Sequence, residues 1–379
     1  MIKRFILLIT LALLTLTAHG VTEYDLNLEA LYLEIDQAID SSEFFLLRKT
    51  ALIETLKNEL RRTDNDAQRF EASKRLYQEY VPFENDSALA YQYKCLDLAE
   101  RLGRDDLYAE TLIALADQLT ESGFYHEACS HFDRVSVMDA GLPALPDSLL
   151  TAFLLGLNHL YGEMGYYSHD SRLKDTYLEC YGQLLDSLLL RLDTTSVAGL
   201  QLRTMTLANQ DSLCEAMHFC ELWQQLCEPE SRAWATMAYY RAVIYGQQGD
   251  VNSQRYWLAR SALVDIRHAI MDQGALWSLA ESFVNEQVEI DRANRYMEFS
   301  WQCLSRFTTH MRSWLVAPVL TRINGDYKLQ LQRANSRLRY TNVVISLLAI
   351  GLLGLIFYLQ KKRRQLANVR NELSVLNPH

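Results

Sequence analysis

His126, Glu127 and His131 come nearest to a chemical signature, that of a helical zinc hydrolase. Such a site needs two histidines four positions apart, about 40° round a helix, so that both imidazoles reach one ion; these stand five apart, about 140° round. One helix cannot present both to one metal. The sequence has no glycine-rich phosphate loop, no Gly-x-Ser-x-Gly elbow and no Cys–His–Asp pattern, and its carboxylates are scattered as helix surface and caps. No catalytic residue, metal ligand or cofactor is expected. The seven cysteines, Cys95, Cys129, Cys180, Cys214, Cys220, Cys227 and Cys303, form no Cys-x-x-Cys pair and read as core thiols, with one disulfide left open among Cys214, Cys220 and Cys227.

The aromatic residues offer binding chemistry instead. All six tryptophans, Trp223, Trp234, Trp257, Trp277, Trp301 and Trp314, fall in the second half of the chain, with Tyr239, Tyr240, Tyr245 and Tyr256 among them. Aromatic faces along a groove stack on sugar rings or hold peptide side chains; the same faces also fill cores. Trp223, Trp234 and Trp277, with Tyr166 and Tyr167, are the candidate ligand contacts. A net charge of -10 argues against a nucleic-acid surface.

What must position these residues is a repeat of helices. Leu28, Leu31, Ile35, Ile39, then Leu46, Leu52, Ile53, Leu56 and Leu60 recur at helical spacing and predict two helices broken near Asp40-Ser41-Ser42. A third runs from about Gln68 to Tyr80, ended by Pro82. The clearest repeat lies in residues 112–135: Gly123 ends one helix, and Tyr125, Ala128 and Phe132 start the next, Ala128 being small enough for the two backbones to approach. Tyr245, Gly249, Val251 and Leu258 reproduce the spacing, with Gln254 at the small position. Ala88, Ala216 and Ala293 are the corresponding anchors elsewhere. Counting the 128–216 gap as two units, the anchors stand about 38 to 44 apart, which implies six helical hairpins. The missing anchor falls in residues 154–190, where Tyr161 and Gly165 end one helix and residues 166–174 make a longer loop. The fold expected is all-α, a tetratricopeptide-like (TPR-like) α-solenoid in which each hairpin buries its apolar face against its neighbours.

Two apolar stretches frame the repeats. Lys3 and Arg4, the run from Phe5 to Thr17 and Ala18-His19-Gly20 read as a secretory signal over residues 1–20. Residues 340–360 carry about twenty uncharged, mostly apolar positions closed by Lys361, Lys362, Arg363 and Arg364, long enough for one transmembrane helix. The expected order is therefore a periplasmic repeat domain over 21–325, a juxtamembrane helix over 326–339, the span at 340–360 and a cytoplasmic basic, coiled-coil tail over 361–379: a single-pass inner-membrane protein. Leu331 and Leu338 outside, with Leu366, Val369 and Leu373 inside, fall on one heptad seam and predict a homodimer.

The stretches LEIDQAIDSSEFFLLRKTALIETLKNEL and YQEYVPFENDSALAYQYKCLDLAERLG, the long repeats, the single span and QKKRRQLANVRNELSVLN together resemble the membrane-spanning TPR regulators of polysaccharide-utilisation loci, of the starch-utilisation regulator type. That resemblance implies a sensor whose periplasmic domain binds an oligosaccharide and regulates transcription through the membrane helix. Members of that family continue into a cytoplasmic output and DNA-binding region, whereas this sequence stops at His379, before any such region, so no direct nucleic-acid contact is expected of it. The alternative is a membrane-anchored scaffold whose groove binds a peptide or another envelope protein.

Overall fold

In the computed structural model the described residues are 23–141, 145–286 and 288–307, followed by Ser336 and short stretches within 339–363. The chain divides by its internal contacts into a unit Met1–Leu320 and a unit Thr321–His379. The first contains fourteen helices among its described residues, and no strand: α1 (Glu23–Asp40), α2 (Ser42–Arg61), α3 (Asp66–Tyr80), α4 (Asn85–Leu102), α5 (Asp105–Glu121), α6 (Tyr125–Gly141), α7 (Asp147–Tyr167), α8 (Ser171–Arg191), α9 (Val197–Asn209), α10 (Leu213–Leu226), α11 (Arg232–Gln247), α12 (Val251–Arg267), α13 (Gly274–Glu286) and α14 (Ile290–Phe307). From α3 onward they pair as six antiparallel hairpins, each packed on the next.

Local chemistry sets the ends. Asn65, Asp170, Ser196, Ser231 and Asp250 accept backbone N–H groups of the first turns of α3, α8, α9, α11 and α12. Three hairpins turn in the same way. Gly123 (φ 82°) and Gly249 (φ 77°) adopt left-handed backbone, and the next residue's N–H reaches back five positions, Phe124 to the Leu119 carbonyl (2.9 Å) and Asp250 to that of Tyr245 (3.0 Å). Asp211 (φ 61°) stands in the glycine's place between α9 and α10, with Ser212 N–H donating to Leu207 at 2.9 Å. Aspartate tolerates this conformation better than most residues, so the motif persists without its sequence marker.

Ala88, Ala128, Ala216 and Ala293 are fully buried between the helices of their hairpins. Where the small residue is missing, the preceding helix supplies a glycine instead. A Cβ on Gly165 of α7 would lie 2.7 Å from Leu178 of α8, and one on Gly246 of α11 would lie 2.5 Å from the Gln254 amide of α12. Close approach is thus kept with the roles of the two helices exchanged. The long loop expected over residues 166–174 is not there, because α7 continues to Tyr167 and α8 begins at Ser171. All seven cysteines are free thiols, and Cys95, Cys220, Cys227 and Cys303 are buried.

Among the described residues each hairpin packs on its neighbours, and the chain also closes on itself: α1 packs along α12 across more than two hundred residues of sequence, and the α12–α13 turn reaches the α3–α4 connection. Leu28, Leu31, Tyr32, Ile35 and Ala38 of α1 are buried. The Tyr32 ring meets Phe283 of α13 edge-on at 5.1 Å, and Tyr296 Oη of α14 donates to the Tyr32 carbonyl at 3.2 Å. Arg292 grips Glu29 with two nitrogens (2.6 and 3.0 Å) and Asp36 with Nε (3.1 Å), while Arg295 reaches Asp40 (2.6 Å) and the Asp36 carbonyl (3.0 Å). Half-exposed ion pairs contribute about 0.2–1 kcal/mol each, and burying one large aliphatic side chain about 1.5–3 kcal/mol. The apolar stripe therefore holds α1 on, and the arginines fix its register.

In the second unit the described residues of 339–342, 345–348 and 352–353 are helical, and Ile345, Leu348 and Leu352 are exposed. No helix among the described residues is long and apolar enough to cross a membrane. Ile350, Tyr358 and Leu359 are likewise helical and exposed; the other positions of the expected span, the signal stretch 1–20, Trp314 and the seam residues Leu331, Leu338, Leu366, Val369 and Leu373 lie outside the described residues.

Candidate functional site

A cavity of about 500 Å³ lies where the last two hairpins meet the end of α7. One face of α11 supplies Arg232, Ala235, Thr236, Tyr239 and Tyr240, positions related by three, four and seven residues. From α12 come Ser261 and Asp265, and from α14 Ser300 and Leu304, each pair one turn apart. The α12–α13 turn and the start of α13 contribute Ile270, Asp272, Gln273, Gly274, Ala275 and Trp277, and Tyr167 closes the remaining side.

That turn is fixed from below. Ala269 takes left-handed backbone (φ 51°), Ile270 N–H donates to the Asp265 carbonyl at 2.9 Å, and Met271 N–H donates to the Pro82 carbonyl at 2.8 Å in the α3–α4 connection. An alanine in that conformation costs about 1 kcal/mol, so the contacts that hold the turn outweigh the strain.

Two buried polar atoms on the cavity wall lack protein partners. Gln273 donates through Nε2 to the Ile270 carbonyl, which leaves its Oε1 without a donor, and Ser300 Oγ is likewise unpaired. Both side chains are at most 6% exposed. An unmet buried polar atom costs about 1–3 kcal/mol, a deficit that a ligand hydroxyl would recover once a small side-chain shift admits it. The carboxyl of Asp265 is held well above the usual carboxylate range, first by burial and then by the charge of Asp272, with Arg232 opposing both. Burial pushes Tyr240 up to about 12, so it presents a neutral phenol at physiological pH. The wall therefore combines flat aromatic faces with hydroxyls, carboxyls and an amide oxygen that can each meet a donor.

Of the candidate ligand contacts, the structure brings Trp277 and Tyr167 together in this cavity. Tyr166, beside Tyr167, points into solvent at 72% exposure. Trp223 and Trp234 fill the core: Trp223 packs with Ala216, Cys220 and Met237, and Trp234 lies 6.1 Å from Trp257. Of the repeat-packing residues, Ala128 and Phe132 are buried, and Tyr125 and Tyr245 are half-buried beside their turns. Sequence reasoning missed Arg232, Asp265, Asp272, Gln273 and Ser300. The face of α11 was the available signal, since its polar and aromatic members recur at helical spacing; the others come from separate elements with no common pattern.

Residues 39–318 match the family described as SusR N-terminal TPR domain. No curated protein matches the chain. Among solved structures, BtubC (BKLC) from P. vanneervenii is similar with 16% sequence identity and a TM-score of 0.34, over 64% of this chain and 92% of that one.

Proposed function

Because the chain belongs to the family of SusR N-terminal TPR domains, we propose that it is a non-catalytic sensor-regulator whose repeat domain binds an oligosaccharide in the cavity between α11 and α14. The repeat domain is periplasmic, the chain crosses the inner membrane once at residues 340–360, and a homodimer carries the signal toward transcriptional output. The observation that supports the ligand reading most is the pair of orphaned acceptors, Gln273 Oε1 and Ser300 Oγ, on a wall that also carries Trp277, Tyr239 and Tyr240. Sugar rings present C–H faces that stack on aromatics and hydroxyls that donate to such acceptors. A scaffold binding an extended peptide would use a strip along several successive hairpins, whereas this cavity is confined to the last two hairpins and the end of α7.

The test is thermal stabilisation of the full chain in detergent by maltotriose, cellotriose, xylotriose and mannotriose. At least one should raise the melting temperature, and Trp277→Ala should weaken its binding by about 1–3 kcal/mol with little change in the unliganded melting temperature. No shift with any of the four, or equal binding by the variant, removes the oligosaccharide reading.

The topology is tested separately. A reporter fused after Arg370 should be active only in the cytoplasm and one after Gly325 only outside it. The reverse pattern overturns the orientation.

A further inference from the structure

We propose that α1 is a clasp that sets the affinity of this cavity through the α13–α14 hairpin, an inference that rests on the effector reading above. The hairpin is held at both ends. Its open end carries Trp277 and Ser300 on the cavity wall, and its turn end carries Phe283, Arg292, Arg295 and Tyr296 against α1. Trp277 and Phe283 are only about 9 Å apart along one helix, and Ser300 lies one turn beyond Tyr296 on nearly the same side of the other. Phe283 and Tyr296 pack on each other with ring centroids 6.2 Å apart, so the two helices tilt as one body. A ligand that favours one tilt at the cavity end must change the hold on α1 at the turn end, and by linkage a change in that hold alters ligand affinity by the same factor.

Asp36 is the keystone of the clasp, since its carboxylate meets both Arg292 (3.1 Å) and Arg295 (3.4 Å) and is only 17% exposed. The family match begins at residue 39, so α1 lies almost wholly outside the shared domain. The clasp closes on the hairpin that lines the cavity.

The experiment is hydrogen exchange, read by mass spectrometry, on the full chain in detergent with and without the same four trisaccharides at millimolar concentration. A trisaccharide that protects peptides around residues 272–280 should also change exchange in residues 28–40 by about threefold or more, although α1 is not part of the cavity wall. Asp36→Asn should shift the apparent Kd for that trisaccharide by about fivefold or more, the lower range of allosteric coupling. Glu110→Gln, which breaks a surface pair with Lys74 elsewhere, should leave it unchanged. If Asp36→Asn does not fold, Arg295→Gln, which spares the Asp36–Arg292 pair, carries the test. Protection at 272–280 with unchanged exchange at 28–40 and an unchanged Kd in the variant shows α1 to be a static part of the fold and overturns the proposal. Absence of protection at 272–280 with every trisaccharide is a different pattern, which overturns the effector reading and this inference together.

Discussion

Trp223→Ala should lower the folding free energy by about 3–5 kcal/mol, the range for removing a large aromatic from a packed core. The ring is 1% exposed and lies 6.0 Å from Tyr240, among Ala216, Cys220, Cys227 and Met237. A hole of that size in a repeat array cannot be closed by local collapse, because the same cluster joins α9, α10, α11 and α12. Trp223→Phe should cost much less, since the indole Nε1 has no acceptor and the phenyl ring removes an unmet donor along with the lost volume. Chemical denaturation of both variants beside Trp277→Ala gives the comparison. The expected order of loss is Trp223→Ala largest, Trp223→Phe intermediate and Trp277→Ala smallest; equal losses at 223 and 277 would mean that Trp277 is also a core residue and not a wall of the site.

The helices and their pairing were legible because each hairpin repeats one local requirement, a small residue opposite a close backbone. Ala88, Ala128, Ala216 and Ala293 meet it from the second helix, so their spacing marks the units. At Gln254 and near Leu178 the pattern is lost in sequence but kept in space, since Gly246 and Gly165 provide the clearance from the first helix. A rule that searches one helix for a small side chain misses a contact that needs only one small partner of two. The turn at Asp211 was hidden for a similar reason, because left-handed backbone is usually flagged by glycine.

The candidate site was legible only in part. Tryptophan carries no sign of which way it faces, so Trp223 and Trp277 look alike in sequence although one is core and the other lines the cavity. Asp265, Gln273 and Ser300 come from a helix, a turn and another helix, and only packing brings them together. The contact of α1 with α12–α14 was invisible for a stronger reason. Periodicity shows that α1 has an apolar stripe, but partners more than 250 residues away leave no mark in the stripe itself, as Arg292 and Glu29 illustrate.

Gly156→Ala should destabilise the fold by about 1–3 kcal/mol even though alanine is about 1 kcal/mol better than glycine inside a helix. Gly156 lies within α7, and a Cβ there would stand 2.7 and 2.9 Å from two ring carbons of Phe132, the aromatic of the preceding hairpin. That ring cannot retreat, being 1% exposed and packed edge-on against Phe153 at 5.8 Å. Gly246→Ala is the contrasting case. Its nearest neighbour is the far end of the Gln254 side chain, which can swing aside, so the propensity gain should survive and leave the variant neutral or up to about 1 kcal/mol more stable. The clash also predicts coupling: Phe132→Leu should cost less in the Gly156→Ala background than in the native one, because the smaller side chain relieves the overlap. A double-mutant cycle by chemical denaturation reads this directly. If both glycines respond alike, with equal gains, the Phe132 ring has room to move, and the aromatic anchor of one hairpin is not what sets the spacing to the next.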